Sequence, residues 1–315
     1  MDRGNRLEQL LSGRCAVLDG SMGTALERRG FDLNSRLWTA RALVDAPELV
    51  KAVHKDYFCA GADCGISDSY QASIPGFLAY GCRAGEAAEW IASSIRLLKE
   101  AREEWWQEEG ARSGRPYPLA AGSVGPYGAF LADGSEYTGS YHVPERELRR
   151  FHRDRMEILW EAGADCLAIE TIPSLEEALL AAELAGELKA KAWVSFSCMD
   201  GSRTSRGEPL SQCARELDSI EAVAAVGVNC IHPKYISRCI EELKKGTGKP
   251  VIVYPNNGDA YDPGTKRWRR IRSKTAFREY AVRWQREGAA MIGGCCQTLP
   301  EHVREIAQGV RLGRK

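Results

Sequence analysis

Cys295 and Cys296 stand side by side behind Gly293-Gly294, directly after the apolar run Ala289-Ala290-Met291-Ile292. On a regular strand, neighbouring side chains point to opposite faces, so two sulfurs in such a run cannot meet one object. Glycines just upstream tolerate backbone angles that other residues avoid, which lets the chain bend and aim both thiols the same way. Three readings of the pair compete. In the first the thiols are inert and buried. In the second they are joined as a disulfide, which the roughly 3.8 Å between adjacent Cα atoms makes strained. In the third they belong to a soft-metal site, which needs at least one more ligand elsewhere in the chain.

Cys230, at the end of Gly227-Val228-Asn229-Cys230, is the candidate for that ligand. Three thiolates on zinc leave one tetrahedral position open, the pattern of a catalytic centre rather than a closed structural one. The alternative is that Cys230 is simply a buried cysteine at a strand end. Asp19 and Glu170 close the apolar runs Cys15-Ala16-Val17-Leu18-Asp19 and Cys166-Leu167-Ala168-Ile169-Glu170. An isolated acid is costly to bury. Such a pair suits general acid–base work or the capture of a ligand's ammonium group. No catalytic histidine stands out. His54 and His152 fall in helical stretches, and of the loop histidines His142 is best placed to face a ligand. The arginines and glutamates from Glu145 to Arg155 read as a solvated helix face.

The elements that must position these residues repeat from end to end as a short apolar run followed by a longer amphipathic stretch. Beyond the two runs just named, strands are expected at 64–68, 118–122, 192–196, 222–229, 251–254 and 291–292. Each is continuously apolar and bounded by Gly, Pro or charge, as strands buried on both faces are. Helical periodicity begins at Pro47, with Val50, Val53, His54, Tyr57 and Phe58 on one stripe, and again near Gly85, Pro144, Ser174, Leu210, Lys234, Ser273 and Leu299. Pro144 and Ser174 are helix-start residues with acids close behind. Eight strand–helix units without a linker predict one (β/α)8 barrel across residues 1–315, with the metal site at its C-terminal mouth. A doubly wound sheet is disfavoured because no Gly-x-Gly-x-x-Gly turn follows the first strand.

Lys+Arg and Asp+Glu are equal at 43 each in 315 residues, so there is no basic footprint for nucleic acid and no polybasic membrane patch. No apolar run is long enough to span a bilayer, and the first residues lead into no signal-like stretch. The eleven cysteines are odd in number and scattered, which fits a reducing, cytoplasmic setting. Oligomeric state is not legible in the chain.

Four stretches together, Leu18-Asp19-Gly20-Ser21-Met22-Gly23-Thr24, Glu170-Thr171, Gly227-Val228-Asn229-Cys230 and Gly293-Gly294-Cys295-Cys296, resemble the homocysteine S-methyltransferases. The likeness runs from about Cys15 to Ile306. Ser123-Val124-Gly125-Pro126-Tyr127-Gly128, the stretch from Leu131 to Tyr137 and Tyr254-Pro255-Asn256 are similar to the bacterial and plant branch that uses S-methylmethionine. The resemblance implies zinc-dependent methyl transfer from S-methylmethionine, or from S-adenosylmethionine, to L-homocysteine, giving methionine. It implies zinc on Cys230, Cys295 and Cys296 with the homocysteine sulfur as fourth ligand. Asp19 and Glu170 would bind the ammonium group, Ser67 and Tyr70 the carboxylate side, and Trp38 would line the pocket, with Asn229 among the substrate-binding residues. Tyr127, Trp268 and Glu136 would face the cationic sulfonium donor. The betaine-using branch places tyrosines where Gln71 and Thr171 stand here, so an aromatic cage for a quaternary ammonium is missing. Nothing is left over for the folate or cobalamin domains of the longer methionine synthases. A selenocysteine acceptor, or a non-catalytic zinc- or thiol-binding role, is the competing expectation.

Overall fold

Continuously apolar runs need cover on both faces, and a barrel wrapped by helices provides it. The strands are Ala16–Val17 (β1), Cys64–Ile66 (β2), Leu119–Val124 (β3), Cys166–Ile172 (β4), Ala192–Phe196 (β5), Val223–Asn229 (β6), Val251–Tyr254 (β7) and Ala289–Ile292 (β8). The computed structural model describes residues 5–262, 267–269 and 276–313, with backbone alone for 260–262 and 267–269. The eight strands form one parallel sheet in the order β1-β8-β7-β6-β5-β4-β3-β2. A bridge between Leu18 and Cys64, with the Asp19 amide on the Cys64 carbonyl at 3.1 Å, joins the two edges. The fold is a closed (β/α)8 barrel. A short antiparallel pair, Ala260–Asp262 with Arg267–Arg269, stands apart from it after β7.

The expected helical stripe is the buried face of Pro47–Ala60, where Val50, Val53, His54, Tyr57 and Phe58 are all covered. Trp105, on the long helix Ala84–Glu108, stacks on Phe58 with ring centroids 6.0 Å apart, so that apolar face packs within the barrel wall. The barrel interior is a separate cluster built from Leu18, Ala121, Trp193, Ile252 and Met291. Leu7 and Leu11 of the helix Asn5–Ser12 join it. That helix stoppers the N-terminal end of the barrel, where Arg6 pairs with Asp165 just ahead of β4. Each Leu or Ile fully buried in this way contributes about 1.5–3 kcal/mol. With one end plugged, the C-terminal mouth is the end left for chemistry. Among the described residues no helix is long and apolar enough to cross a membrane.

Candidate metal and substrate site

Both cysteine-bearing segments lie just past the ends of their strands. Cys230 follows β6 with φ at 51°, a left-handed backbone uncommon for a side chain of this kind, and its amide donates to the Tyr254 carbonyl at 3.1 Å. After β8, the Gly293 amide donates to Val253 at 3.0 Å, Gly294 to Asp19 at 2.9 Å and Cys295 to Pro255 at 2.7 Å. The loop is thereby stitched to the rims of β1 and β7, and it carries Cys295 and Cys296 to Cys230. The three sulfurs lie within 4.8 Å of one another, and Cys230 Sγ is 3.3 Å from Cys296 Sγ.

The glycines serve a different purpose from the bend expected of them. Neither Gly293 nor Gly294 has a positive φ; the left-handed residue of this loop is Gln297, at 63°. A Cβ at Gly293 would lie 2.6 Å from Leu18 Cβ and 2.9 Å from the Asp19 carbonyl. One at Gly294 would lie 2.3 Å from Thr298 Oγ1, whose hydroxyl donates to the Cys295 carbonyl at 2.6 Å. Both glycines are there to let the thiol loop press against β1 and Thr298. Gly294→Ala should therefore cost about 1–3 kcal/mol through overpacking and displace Cys295. Zinc titration of the purified variant should show weaker metal uptake, and wild-type affinity would remove this role.

The cluster suits a tetrahedral soft metal. Metal–sulfur bonds of about 2.3 Å set sulfurs about 3.8 Å apart around a tetrahedron, within the range seen here. Hydrogen bonds from Cys295, Cys296 and Tyr137 hold Cys230 well below the ordinary thiol range, while Cys295 and Cys296 are pushed well above it beside Cys230. One of the three ionises alone, and all three ionise together when a cation lies among them. Among the described residues no other group of His, Cys, Asp and Glu converges in this way.

Asp19 and Glu170 reach the same mouth. Asp19 Oδ2 accepts the Ile66 amide at 2.7 Å, and Glu170 accepts the Ser123 hydroxyl and lies near Tyr254. Burial raises both carboxyls, Asp19 well above its usual range and Glu170 to about 7, and the charge of Glu170 raises Asp19 further. Two buried acids, one raised by the charge of the other, favour a cation beside them.

Asn229, expected among the substrate ligands, is fully buried and engaged within the protein. Its Oδ1 accepts the Thr171 amide at 2.8 Å and the Ser195 hydroxyl at 2.9 Å, while Nδ2 donates to Thr171 Oγ1 at 2.7 Å and approaches Cys295 Sγ at 3.9 Å. An amide side chain has two donors and two acceptor lone pairs, and all four are engaged inside the protein. The Tyr254 hydroxyl donates to Ser195 Oγ at 2.5 Å, so a chain of hydrogen bonds runs from Tyr254 through Ser195 and Asn229 toward Cys295. Ser67 is likewise engaged within the rim, by the Ser123 amide at 3.1 Å and Ser69 Oγ at 2.7 Å.

Trp38 and Tyr70 meet edge to face at 6.3 Å. Burial raises Tyr70 well above the usual phenol range, and its neighbours Glu136, Cys230 and Glu170 raise it further. Tyr127 is not brought to the thiols: its hydroxyl donates to Glu147 at 3.1 Å, and its ring packs on Phe130, Tyr141 and Phe151. The tyrosine of that loop that does arrive is Tyr137, which the sequence reading missed. It follows Glu136 on the turn Ser135–Tyr137 and holds its hydroxyl 3.4 Å from Cys230 Sγ. No periodicity distinguishes one loop tyrosine from another. His142 is exposed, and the side chain of Trp268 lies outside the described residues.

A closed barrel thus brings to one mouth three thiols that could hold a metal ion and two buried acids. The family model described as homocysteine S-methyltransferase matches residues 16–310. Homocysteine S-methyltransferase YbgG of Bacillus subtilis (strain 168) is 51% identical over 296 residues, 94% of each chain. The homocysteine S-methyltransferase of Escherichia coli (strain K12) is 42% identical over 309 residues, 97% of this chain and 99% of that one. The metallated form of homocysteine methyltransferase MmuM from Escherichia coli superposes with a TM-score of 0.86 at 40% identity, covering 96% of this chain and 98% of that one. The chain belongs to the homocysteine S-methyltransferase family.

Proposed function

We propose that this chain transfers a methyl group from S-methylmethionine to the sulfur of L-homocysteine, acting as one barrel unit in the cytoplasm. The observation that carries the reading is the convergence of Cys230, Cys295 and Cys296 with Asp19 and Glu170 at one mouth. Zinc bound by the three thiolates would keep the acceptor sulfur ionised at neutral pH. Asp19 and Glu170 would hold the ammonium group of homocysteine, and the arriving cation would draw both acids to their ionised form. Trp38 and Tyr70 would wall the pocket, with Ser67 shaping it from behind. Glu136 would face the sulfonium charge of the donor. The acceptor sulfur attacks the methyl carbon, a new carbon–sulfur bond forms, and the donor's sulfur–methyl bond breaks with its electron pair returning to sulfur. S-methylmethionine leaves as methionine and homocysteine becomes methionine. Alignment supplies most of the rate, since no proton has to move in the displacement. The odd number and scattered placing of the eleven cysteines supports the cytoplasmic setting.

Purified protein given homocysteine and equal concentrations of S-methylmethionine or S-adenosylmethionine should form methionine faster from the former. Chelation should abolish turnover and added zinc restore it. Full activity in metal-free protein, or no methionine from either donor, would sink the reading.

A further inference from the structure

Glu145 to Arg155 reads in sequence as a solvated face, yet Arg155 is 1% exposed and His152 fully buried. They lie on the helix Glu145–Glu161 and face Glu177 on the helix Leu175–Glu187. An arginine Nη2 can only donate, so the 3.0 Å contact from Arg155 makes His152 Nδ1 the acceptor. The ring proton therefore sits on Nε2 and is donated to Glu177 Oε1 at 2.7 Å. Burial lowers the His152 pKa, which keeps the ring neutral. The result is a cation and an anion bridged by a neutral imidazole, with Ser174 capping the helix at the Glu177 amide rather than sharing a capping box with its carboxylate.

Burying two ions costs several kcal/mol each, and apolar side chains would join the two helices as well. What the ions reach, and apolar groups would not, is the backbone of the mouth loops. Arg155 Nη2 donates to the Gly125 carbonyl and Nη1 to the Tyr70 carbonyl at 3.5 Å. Glu177 accepts the Tyr127 amide at 2.7 Å and the Tyr141 hydroxyl. The loop after β3 is thus pinned at its start and at its end. Its middle rests on that pinned start, since a Cβ at Gly128 would lie 2.5 Å from the Glu136 amide nitrogen. Glu136 and Tyr137 sit in that middle, with Tyr137 over Cys230.

We propose that Arg155, His152 and Glu177 are positioning residues for the methyl-donor half of the site: by clamping the loop 125–141 they set Glu136 and Tyr137 over the thiols. This rests on the proposed function, because it assigns the loop side of the pocket to the donor. The test uses full-length, zinc-loaded protein with Glu177→Gln, and with Tyr141→Phe, which removes a single hydroxyl and decides the matter should the first variant fail to fold. Glu177→Gln should raise the KM for S-methylmethionine about tenfold and Tyr141→Phe about threefold, the homocysteine KM staying within about twofold. Zinc content should be unchanged, and amide exchange across 127–141 should quicken. A donor KM that does not move, or donor and acceptor KM values rising together, would overturn the proposal. If the wild-type protein transfers no methyl group from either donor, the proposed function falls instead. Amide exchange across 127–141 then decides the clamp, and unchanged protection overturns it.

Discussion

Cys230→Ser should yield a folded barrel whose methyl transfer is all but lost. Cys230 is half-buried at the rim, one residue beyond β6, and contributes nothing to the inner cluster that holds the strands together. Serine keeps the backbone and nearly the volume but replaces a soft thiolate by a hydroxyl that stays protonated at neutral pH. Two thiolates and a hydroxyl are a poor zinc site. Loss of an outer-shell partner typically costs roughly 10- to 100-fold, and loss of a ligand should exceed that, to the order of 10³-fold in turnover. Zinc content after dialysis, methionine formation and urea unfolding, measured together, check the expectation. The unfolding midpoint should move by no more than about 1 kcal/mol in stability. A barrel that melts when the metal is lost would make the site structural and defeat the proposed function.

Glu170→Gln separates acceptor binding from metal binding. If Glu170 and Asp19 hold the ammonium group, the amide loses one charge-assisted hydrogen bond worth about 1.5–3 kcal/mol, so the homocysteine KM should rise roughly 10- to 100-fold. Zinc content should match the wild type, because the substitution removes no thiol and the Glu170 carboxylate bonds to Ser123. The pH profile carries the sign. Burial raises Glu170 to about 7, against the pull of Ser123 and Tyr254. As pH falls through that value the carboxyl takes up a proton, loses its charge and releases the ammonium group, so the wild-type KM should climb on the acid side. The variant has no such carboxyl at that position and should lack that part of the climb. Equal losses of zinc and homocysteine would contradict the role.

The barrel and the thiol cluster were legible because both follow from strand periodicity. A run such as Ala222 to Asn229 announces its strand, and in a parallel barrel every strand end arrives at the same rim, so Cys230 and Cys295-Cys296 had to converge. Asp19 and Glu170 were legible for the same reason. Loop geometry has no such rule. Tyr127 and Tyr137 look alike in sequence, and it is the folded loop that sets one in an aromatic cluster and the other beside Cys230. Arg155 was misread because a charged residue in a charged helix is usually solvated, and the backbone partners that bury it lie far off in sequence, at positions 70 and 125. Asn229 was read as a substrate ligand because a sequence does not reveal that its hydrogen bonds are already engaged within the protein.

The two-residue strand β1 has a consequence for how the molecule assembles. It pairs with β8 through Ala16–Met291 and Val17–Ile292, the most distant partners along the chain, and the barrel is open until that seam forms. Cys230 and Cys296 are 66 residues apart, and the loop bearing Cys295 and Cys296 is held by bonds to Asp19 and Pro255. Contacts so far apart in sequence form late and slowly. Affinity for a soft metal should therefore not accumulate strand by strand during folding. It should arise in one final event, the docking of the last strand–helix unit against the first, so that the thiol cluster marks the moment at which the ring becomes complete.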